Sequence, residues 1–235
     1  VNNIRMLENI IRFTKSQKHI QRLFYASTSE VYAGTLKHFD LEIPSPESAP
    51  LAVTALSDKR TTYMMSKITG EAMCHHSGVP FTIFRPHNIY GPRMGLAHVI
   101  PEQLQNISEV SLEGKIGVYS VDHRRTFCYI DDAVEMLIRM LKNNIGVGQT
   151  LNIGTESPEV TIREVVEICI EIAQKQITIE ALPPTPGSPT RRAPDMRLTK
   201  QLLDYESKVC LRTGITKTWE WYKANVFDNN QPLVS

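Results

Sequence analysis

The sequence is poor in cysteine and contains no long apolar segment. Its four cysteines are scattered through 235 residues and include no CxxC pair. We therefore interpret them as reduced thiols and expect a cytoplasmic protein. No apolar run approaches the length of a membrane-spanning helix, so no membrane partner is expected.

Neither sign of charge predominates. Lysine and arginine total 26, aspartate and glutamate total 25, and no block of like charge occurs, so we expect no nucleic-acid partner. Three histidines, His87, His98 and His123, lack metal-ligand spacing with carboxylates or cysteines, so we expect no metal site.

A glycine-rich phosphate loop is also lacking. The 12 glycines never occur in GxxGxxG spacing between a strand and a helix. The chain starts at Val1, not at methionine, and at once enters a helical pattern over about 3–18. We expect from this that the natural beginning is missing and that the chain alone does not hold the pyrophosphate of a dinucleotide.

Two polar segments carry the chemistry. Ser27–Tyr32 follows an apolar run at 22–27 that predicts a buried strand, and the ends of such strands hold ligands in open α/β sheets. A helical pattern at 61–77 places Tyr63 and Lys67 four residues apart, on one face. An ammonium beside a phenol favours the phenolate, so Tyr63 is a candidate proton acceptor for a sugar or alcohol hydroxyl. Thr28 could hold the same hydroxyl, and Glu30 offers a second base.

A second buried strand is predicted at 79–84, and it ends in the turn-rich segment Arg85–Arg93. Strand, helix and strand in this order predict a parallel pair with a right-handed crossover. The stretch 33–60, with three prolines, is predicted to be a loop. Further helices and strands are predicted, with Asp131 and Asp132 as N-caps and Thr161–Glu164 as a capping box. Their predicted ranges are helices at 98–108, 131–142, 165–174, 199–203 and 215–225, strands at 117–119, 151–154 and 177–181, and a frayed tail at 228–235.

These motifs, in this order, resemble the extended short-chain dehydrogenase/reductases that act on nucleotide sugars, namely epimerases, dehydratases and UDP-glucuronate decarboxylases. The resemblance covers residues 1 to about 225 and rests on an ordered set of segments: Ser27–Tyr32, Tyr63–Lys67 with Gly70 and Glu71, Arg85–Arg93, Arg125–Asp132, Leu151–Gly154 and Arg192–Asp195.

The resemblance implies NAD as cofactor and a 4-keto sugar intermediate. In such enzymes NAD takes a hydride from sugar C4 while the tyrosine, here Tyr63, takes the hydroxyl proton. Thr28 matches the hydroxyl-binding residue, and Lys67 matches a lysine that also holds the nicotinamide ribose, beside Tyr63 and Pro86. A carboxylate at Glu30 is expected in dehydratases and decarboxylases, which need a second acid or base, whereas simple 4-epimerases usually carry small or neutral residues there.

The resemblance also implies a nucleotide-diphosphate sugar as substrate. Asn88 matches an asparagine that binds the diphosphate, Arg125 and Arg192 match arginines that clamp it, and Asp195 matches a residue near the ribose. Ser29 and Arg93 complete the implied substrate-binding set, and the base is expected beside 117–119.

The implied fold is α/β: an incomplete Rossmann-type parallel sheet, with the first strands absent, and a smaller α/β substrate-binding lobe. Three parts are expected: 1–92, rejoined by about 125–155, as the C-terminal part of the NAD-binding domain; 93–124 and 156–225 as the nucleotide-sugar lobe; and 226–235 as a tail. The helices at 3–18 and 61–77 match those that form a four-helix dimer interface in this family, so a homodimer is expected.

Three functions remain open from the sequence. The favoured one is a dehydratase or decarboxylase of this family, and the first alternative is a nucleotide-sugar 4-epimerase. The second alternative is a non-catalytic sugar-nucleotide-binding remnant, because the glycine-rich loop is missing. An ordinary alcohol or ketone reductase is disfavoured, since a small ketone has no diphosphate for Arg125 and Arg192 to bind.

Overall fold

The computed structural model describes residues 2–142 and 144–228. The chain forms two compact units. The first comprises the described residues of Val1–His87, Val134–Glu156 and Arg192–Glu206, and the second those of Asn88–Ala133, Ser157–Arg191 and Ser207–Ser235. The expected tail lies outside the described residues from position 229 onward.

The described residues form eight α-helices, and no helix among them is both long enough and apolar enough to cross a membrane. In chain order the helices are α1 (Asn2–Ser16), α2 (Ala33–His38), α3 (Thr61–His76), α4 (Val99–Glu109), α5 (Ile130–Lys142), α6 (Ile162–Ala173), α7 (Arg197–Leu203) and α8 (Leu211–Tyr222). Short 3₁₀ turns cover Ser29–Tyr32 and Asn144–Gly146, and Lys223–Phe227 is a π-helical turn.

The strands are short, and most of those in the first unit are buried. In chain order they are β1 (Leu23–Ala26), β2 (Phe81–Pro86), β3 (Ile89–Tyr90), β4 (Glu113–Tyr119), β5 (Arg124–Arg125), β6 (Cys128–Tyr129), β7 (Thr150–Ile153), β8 (Val160–Thr161), β9 (Gln176–Leu182) and β10 (Arg191–Arg192).

The first unit is built on a parallel sheet in the order β1-β2-β7. Leu23 is in register with Phe81, and Ile83 with Thr150. The parallel pairing of β1 with β2 through α3 confirms the prediction from the strand–helix–strand pattern. One face of the sheet packs on α1 and α3 through a core of Leu7, Ile11, Leu23, Cys74, Val79, Phe81 and Ile83. Because the three strands are parallel, their carboxyl ends meet at one edge of the sheet.

The second unit is built on the parallel pair β4–β9, with Glu113 in register with Gln176. Helices α4, α6 and α8 enclose its core, which includes Ile100, Leu104, Val166 and Ile215. Helix α6 begins at the predicted capping box: Thr161 Oγ1 accepts from the Glu164 backbone N–H at 3.1 Å, and the Glu164 carboxylate accepts from the Thr161 N–H at 2.6 Å.

Two local predictions are wrong. Helix α2 lies inside the stretch 33–60 that the prolines marked as a loop, because the prolines begin only at Pro44 and leave room for a helical turn before them. Asp131 and Asp132 lie in the first turn of α5 and are not N-caps. The Asp132 carboxylate instead accepts from the backbone N–H groups of Lys208 and Val209, each at 3.0 Å.

Candidate active site

The segment after β1 is held in a short 3₁₀ turn by its own threonine. Thr28 is the N-cap of that turn: its backbone is extended and its Oγ1 accepts from the Glu30 N–H at 3.2 Å. Ser29 is buried and Glu30 is half-buried. The cap places the Thr28 hydroxyl and the Glu30 carboxylate at the carboxyl end of β1, and because the Thr28 oxygen acts as the acceptor, the cap does not use the hydroxyl hydrogen.

Helix α3 is joined to the same strand end through Lys67. The Lys67 ammonium donates to the carbonyl oxygen of Ala26 at 2.8 Å and lies 5.8 Å from the centroid of the Tyr63 ring. Tyr63 is 46 % exposed, so its phenol reaches solvent. Burial lowers the pKa of Lys67 below its ordinary value. Tyr63 and Lys67 thus share one helix face, and Lys67 reaches a carbonyl two residues before Thr28.

The Glu30 carboxylate lies between two guanidinium groups. Arg192 Nη1 donates to Glu30 Oε1 at 2.9 Å, and Arg60 Nη1 lies 3.9 Å from Glu30 Oε2. Arg192 Nη1 also lies 3.5 Å from Ser29 Oγ. The Nε–H of Arg192 is buried and meets no acceptor among the described residues. Arg192, predicted to bind a diphosphate, is thus placed against the candidate second base.

Asp195 and Pro86 are the remaining predicted residues of the first unit. The Asp195 carboxylate is buried and accepts from Arg197 Nε and Nη2 at 2.9 and 2.5 Å. These hydrogen bonds lower the pKa of Asp195. Pro86 ends β2 in register with Ile153. Asp195 is therefore committed to an ion pair, and its predicted contact with a ribose remains a prediction.

Three predicted substrate residues belong to the second unit. Asn88 has a left-handed backbone (φ 43°), and its Nδ2 donates to the Thr126 carbonyl at 2.9 Å. Arg93 is exposed, also with a left-handed backbone (φ 64°). Arg125 is buried and donates to acceptors of one loop: Ser188 Oγ at 3.0 Å, the Pro189 carbonyl at 2.5 Å and the Thr190 carbonyl at 3.2 Å. Arg125 therefore fastens that loop to β5.

The side chains at the carboxyl end of β1 fit part of NAD. The Lys67 ammonium has three N–H groups, one of which donates to the Ala26 carbonyl among the described residues. Tyr63 presents a partly exposed phenol beside it. These groups suit the hydroxyls of a nicotinamide ribose. No glycine-rich loop for a pyrophosphate occurs in the sequence.

The sequence does not predict the buried ion pair between Arg85 and Glu71. Arg85 Nη2 donates to Glu71 Oε2 at 2.6 Å, and both side chains are about 5 % exposed. The signal available was that Glu71 lies four residues after Lys67, on the helix face that carries Tyr63. Nothing in the spacing indicated Arg85 as its partner.

Comparison with protein families places the chain clearly. Residues 1–154 match the NAD dependent epimerase/dehydratase family. The chain is 33 % identical over 204 residues to UDP-glucuronic acid decarboxylase 3 of Arabidopsis thaliana, an alignment that covers 83 % of this chain and 55 % of that protein. The chain thus spans about half the length of this curated relative.

Solved structures show the same fold. UDP-glucuronic acid 4-epimerase from Bacillus cereus, solved in complex with UDP-glucuronic acid and NAD, superposes with a TM-score of 0.73 at 23 % identity, covering 94 % of this chain and 67 % of that one. WbmG from Bordetella bronchiseptica, in complex with NAD and UDP, superposes with a TM-score of 0.79 at 21 % identity, covering 94 % and 66 %. These likenesses confirm the predicted Rossmann-type α/β fold.

Proposed function

Because the chain belongs to the NAD dependent epimerase/dehydratase family, we propose that the protein acts on a UDP-sugar through a 4-keto intermediate and removes CO₂ or water from it. The decarboxylase relative, at 33 % identity, favours a UDP-hexuronate as substrate and CO₂ as the product that leaves. That relative is named for a UDP-sugar, and both solved structures hold UDP or a UDP-sugar, so uracil is the base proposed here.

Tyr63, Lys67 and Thr28 supply the first half of the reaction. Tyr63 accepts the proton of the sugar 4-hydroxyl as its carbon is oxidised. The Lys67 ammonium lies 5.8 Å from the centroid of the Tyr63 ring, and its hydrogen bond to the Ala26 carbonyl holds it there. The Thr28 hydroxyl, whose oxygen accepts from the Glu30 N–H, donates to the oxygen from which that proton leaves.

The observation that carries the proposal is the contact between Arg192 and Glu30 at 2.9 Å. A 4-epimerase needs one base, whereas loss of CO₂ or water needs a second group that handles a proton. Glu30 provides that group, and the guanidinium of Arg192 donates to its carboxylate. The buried Nε–H of Arg192 supplies a further donor for an anionic group of the sugar, such as a C6 carboxylate.

When bound, NAD would supply the hydride acceptor for oxidation at sugar C4. Tyr63 and Lys67 would hold its nicotinamide ribose, and Pro86 lies at the end of the neighbouring strand.

We assign nucleotide binding largely to the second unit. Arg125, Asn88 and Arg93 are its candidate diphosphate contacts, Asp195 of the first unit is the candidate ribose contact, and the base is placed beside Gly117–Tyr119. In this proposal 1–92, rejoined by 125–155, is the C-terminal part of the NAD-binding domain, and 93–124 with 156–225 is the nucleotide-sugar lobe. An arginine that holds a loop through carbonyl oxygens, as Arg125 does, could transfer its donors to phosphate oxygens when the substrate arrives.

We further propose a homodimer and a cytoplasmic location. Helix α1 buries Leu7 and Ile11 against the sheet but exposes Met6, Ile10 and Phe13, which recur at helical spacing. Such an exposed apolar stripe suits packing of α1 and α3 of one copy against α1 and α3 of a second copy. All four cysteines are free thiols, as a reducing compartment requires.

Product mass tests the reaction type. The full-length protein is incubated with NAD and a panel of UDP-sugars, including a UDP-hexuronate, and the products are examined by mass spectrometry. Loss of one CO₂ supports the decarboxylase proposal, and loss of one water supports a dehydratase. A new diastereomer of unchanged mass would identify a 4-epimerase and overturn the role given to Glu30. If UDP-sugars bind but none of the panel is converted, the proposal that the protein is an enzyme is overturned.

A further inference from the structure

The segment that carries Thr28 and Glu30 is fastened at both ends to one buried ion pair. At its start, Ser27 Oγ donates to Glu71 Oε1 at 2.5 Å. At its end, the Tyr32 hydroxyl accepts from Arg85 Nη1 at 2.7 Å and donates to Asn152 Oδ1 at 3.0 Å. Both anchoring side chains are buried, Ser27 at 5 % exposure and Tyr32 fully.

The ion pair between Arg85 and Glu71 is bidentate. Arg85 donates from Nε to Glu71 Oε1 at 2.9 Å and from Nη2 to Glu71 Oε2 at 2.6 Å. Although burial alone lowers the pKa of Arg85, its hydrogen bonds to Glu71 and the nearby Tyr32 raise it above its ordinary value. The guanidinium is therefore charged at every relevant pH, and both partners are held in one geometry.

Glu71 ties this pair to the catalytic helix. It follows Lys67 by four residues and Tyr63 by eight, so the three side chains share one face of α3. Gly70 lets the hydroxyl of Tyr25 approach the helix backbone so closely that a side chain there would collide with it. Helix α3, strand β2 and the segment 27–32 are thus joined through a single carboxylate–guanidinium pair.

We propose that Glu71 and Arg85 are positioning residues that fix Thr28 and Glu30 relative to Tyr63. The inference rests on the proposed function for its effect on turnover, but the positioning itself is a property of the free protein. A misplacement of about 1 Å in a reacting group can cost about 100-fold in rate, so the two anchors are expected to act on kcat and not on substrate binding.

The test removes the hydrogen bonds of Ser27 and Tyr32 to the ion pair and leaves Glu71 and Arg85 in place, because removing one partner of a buried ion pair strongly destabilises the fold. Ser27→Ala removes the bond to Glu71, and Tyr32→Phe removes the bond to Arg85. Matched controls remove the same groups elsewhere: Ser77→Ala, whose buried hydroxyl donates to the Cys74 carbonyl, and Tyr90→Phe, whose hydroxyl donates to the Leu211 carbonyl.

Two readouts are taken on the full-length protein. In turnover of the UDP-sugar substrate, each anchor variant is expected to lower kcat by about 10- to 100-fold with KM changed by less than about twofold, while both controls retain wild-type values. In hydrogen–deuterium exchange without substrate, the amides of 27–32 are expected to exchange faster in the anchor variants only.

The two readouts separate this inference from the proposed function. If the wild-type protein shows no turnover, the proposed function fails and hydrogen exchange alone decides the inference. Unchanged exchange in both anchor variants would overturn the positioning role. So would kcat values that equal those of the controls, or a loss of turnover that appears wholly in KM.

Discussion

Arg192 and Glu30, 162 residues apart in the sequence, form an ion pair of 2.9 Å at the carboxyl end of β1. This pairing makes two roles for Arg192 distinguishable. A diphosphate clamp acts mainly on substrate affinity, whereas a residue that serves the acid–base carboxylate acts mainly on the chemical step.

We expect Arg192→Lys to lower kcat by about 10- to 100-fold, because it removes a planar, charge-assisted contact to Glu30. Steady-state kinetics and calorimetric binding of the nucleotide sugar measure the two effects separately. The neighbouring Arg191→Lys is the control, since Arg191 is half-exposed and pairs with Glu159. A variant with normal kcat and weakened binding would instead assign Arg192 to the diphosphate.

Tyr63→Phe is expected to reduce kcat by roughly 10²–10⁴-fold, the usual loss when a positioned proton acceptor is removed. Because Tyr63 is 46 % exposed, the substitution should leave the melting temperature unchanged. Tyr205→Phe, which keeps the ring under Arg139, controls for loss of a tyrosine hydroxyl. Full activity of Tyr63→Phe would remove Tyr63 from the mechanism.

His87 should make the protein acid-sensitive. The pKa of His87 is lowered from 6.5 to about 3, chiefly by burial. The charges of Arg192 and Arg85 also lower the pKa, whereas the hydrogen bond to Asn152 raises it. Between these values the unfolded chain binds the proton and the folded chain does not, so stability falls as the pH drops from 6.5 towards 3. At pH 5 the contribution amounts to about 2 kcal/mol.

Urea unfolding of wild type and His87→Gln at pH 7.5 and pH 5 measures this contribution. The variant keeps a donor for Asn152 but does not titrate, so the wild type should lose about 2 kcal/mol more than the variant on acidification. Equal losses in the two proteins would show that His87 does not govern acid stability.

The apolar stripe of α1 gives a test of the proposed homodimer. Phe13 is 59 % exposed, so a charge at that position should leave the monomer folded and separate two copies packed through α1 and α3. We expect Phe13→Lys to convert a dimer to a monomer in light scattering at matched concentration. Leu56→Lys, at a more exposed loop position, should stay dimeric. A monomeric wild type would contradict the proposal outright.

Local patterns predicted most of the framework. The parallel pairing of β1 with β2 follows from the order of strand, helix and strand along the chain. The capping box at Thr161 and Glu164 and the helix that carries Tyr63 depend on neighbours in the sequence. These features follow from spacing, capping chemistry and strand periodicity, which act over a few residues. The missed helix α2 is only six residues long and has too little periodicity to be recognised.

Long-range polar contacts could not be predicted in the same way. The partners of Arg192 and Arg85 lie far from them in sequence, and an arginine side chain can reach carboxylates, carbonyls or phosphates with equal ease. Arg125 illustrates the difficulty, because its neighbours are loop carbonyls that no motif specifies. Which acceptor an arginine meets is decided by tertiary packing and not by its local sequence.

Because Tyr63, Lys67 and Glu71 are spaced four residues apart on α3, inserting or deleting a residue between them would be more disruptive than substituting one. One residue inserted between Lys67 and Glu71 would turn the preceding part of the helix by about 100° and carry the phenol to a different side. Substitutions at the exposed positions between them leave the alignment intact. Family members are therefore expected to diverge by replacement within this stretch, and never by gain or loss of a single codon.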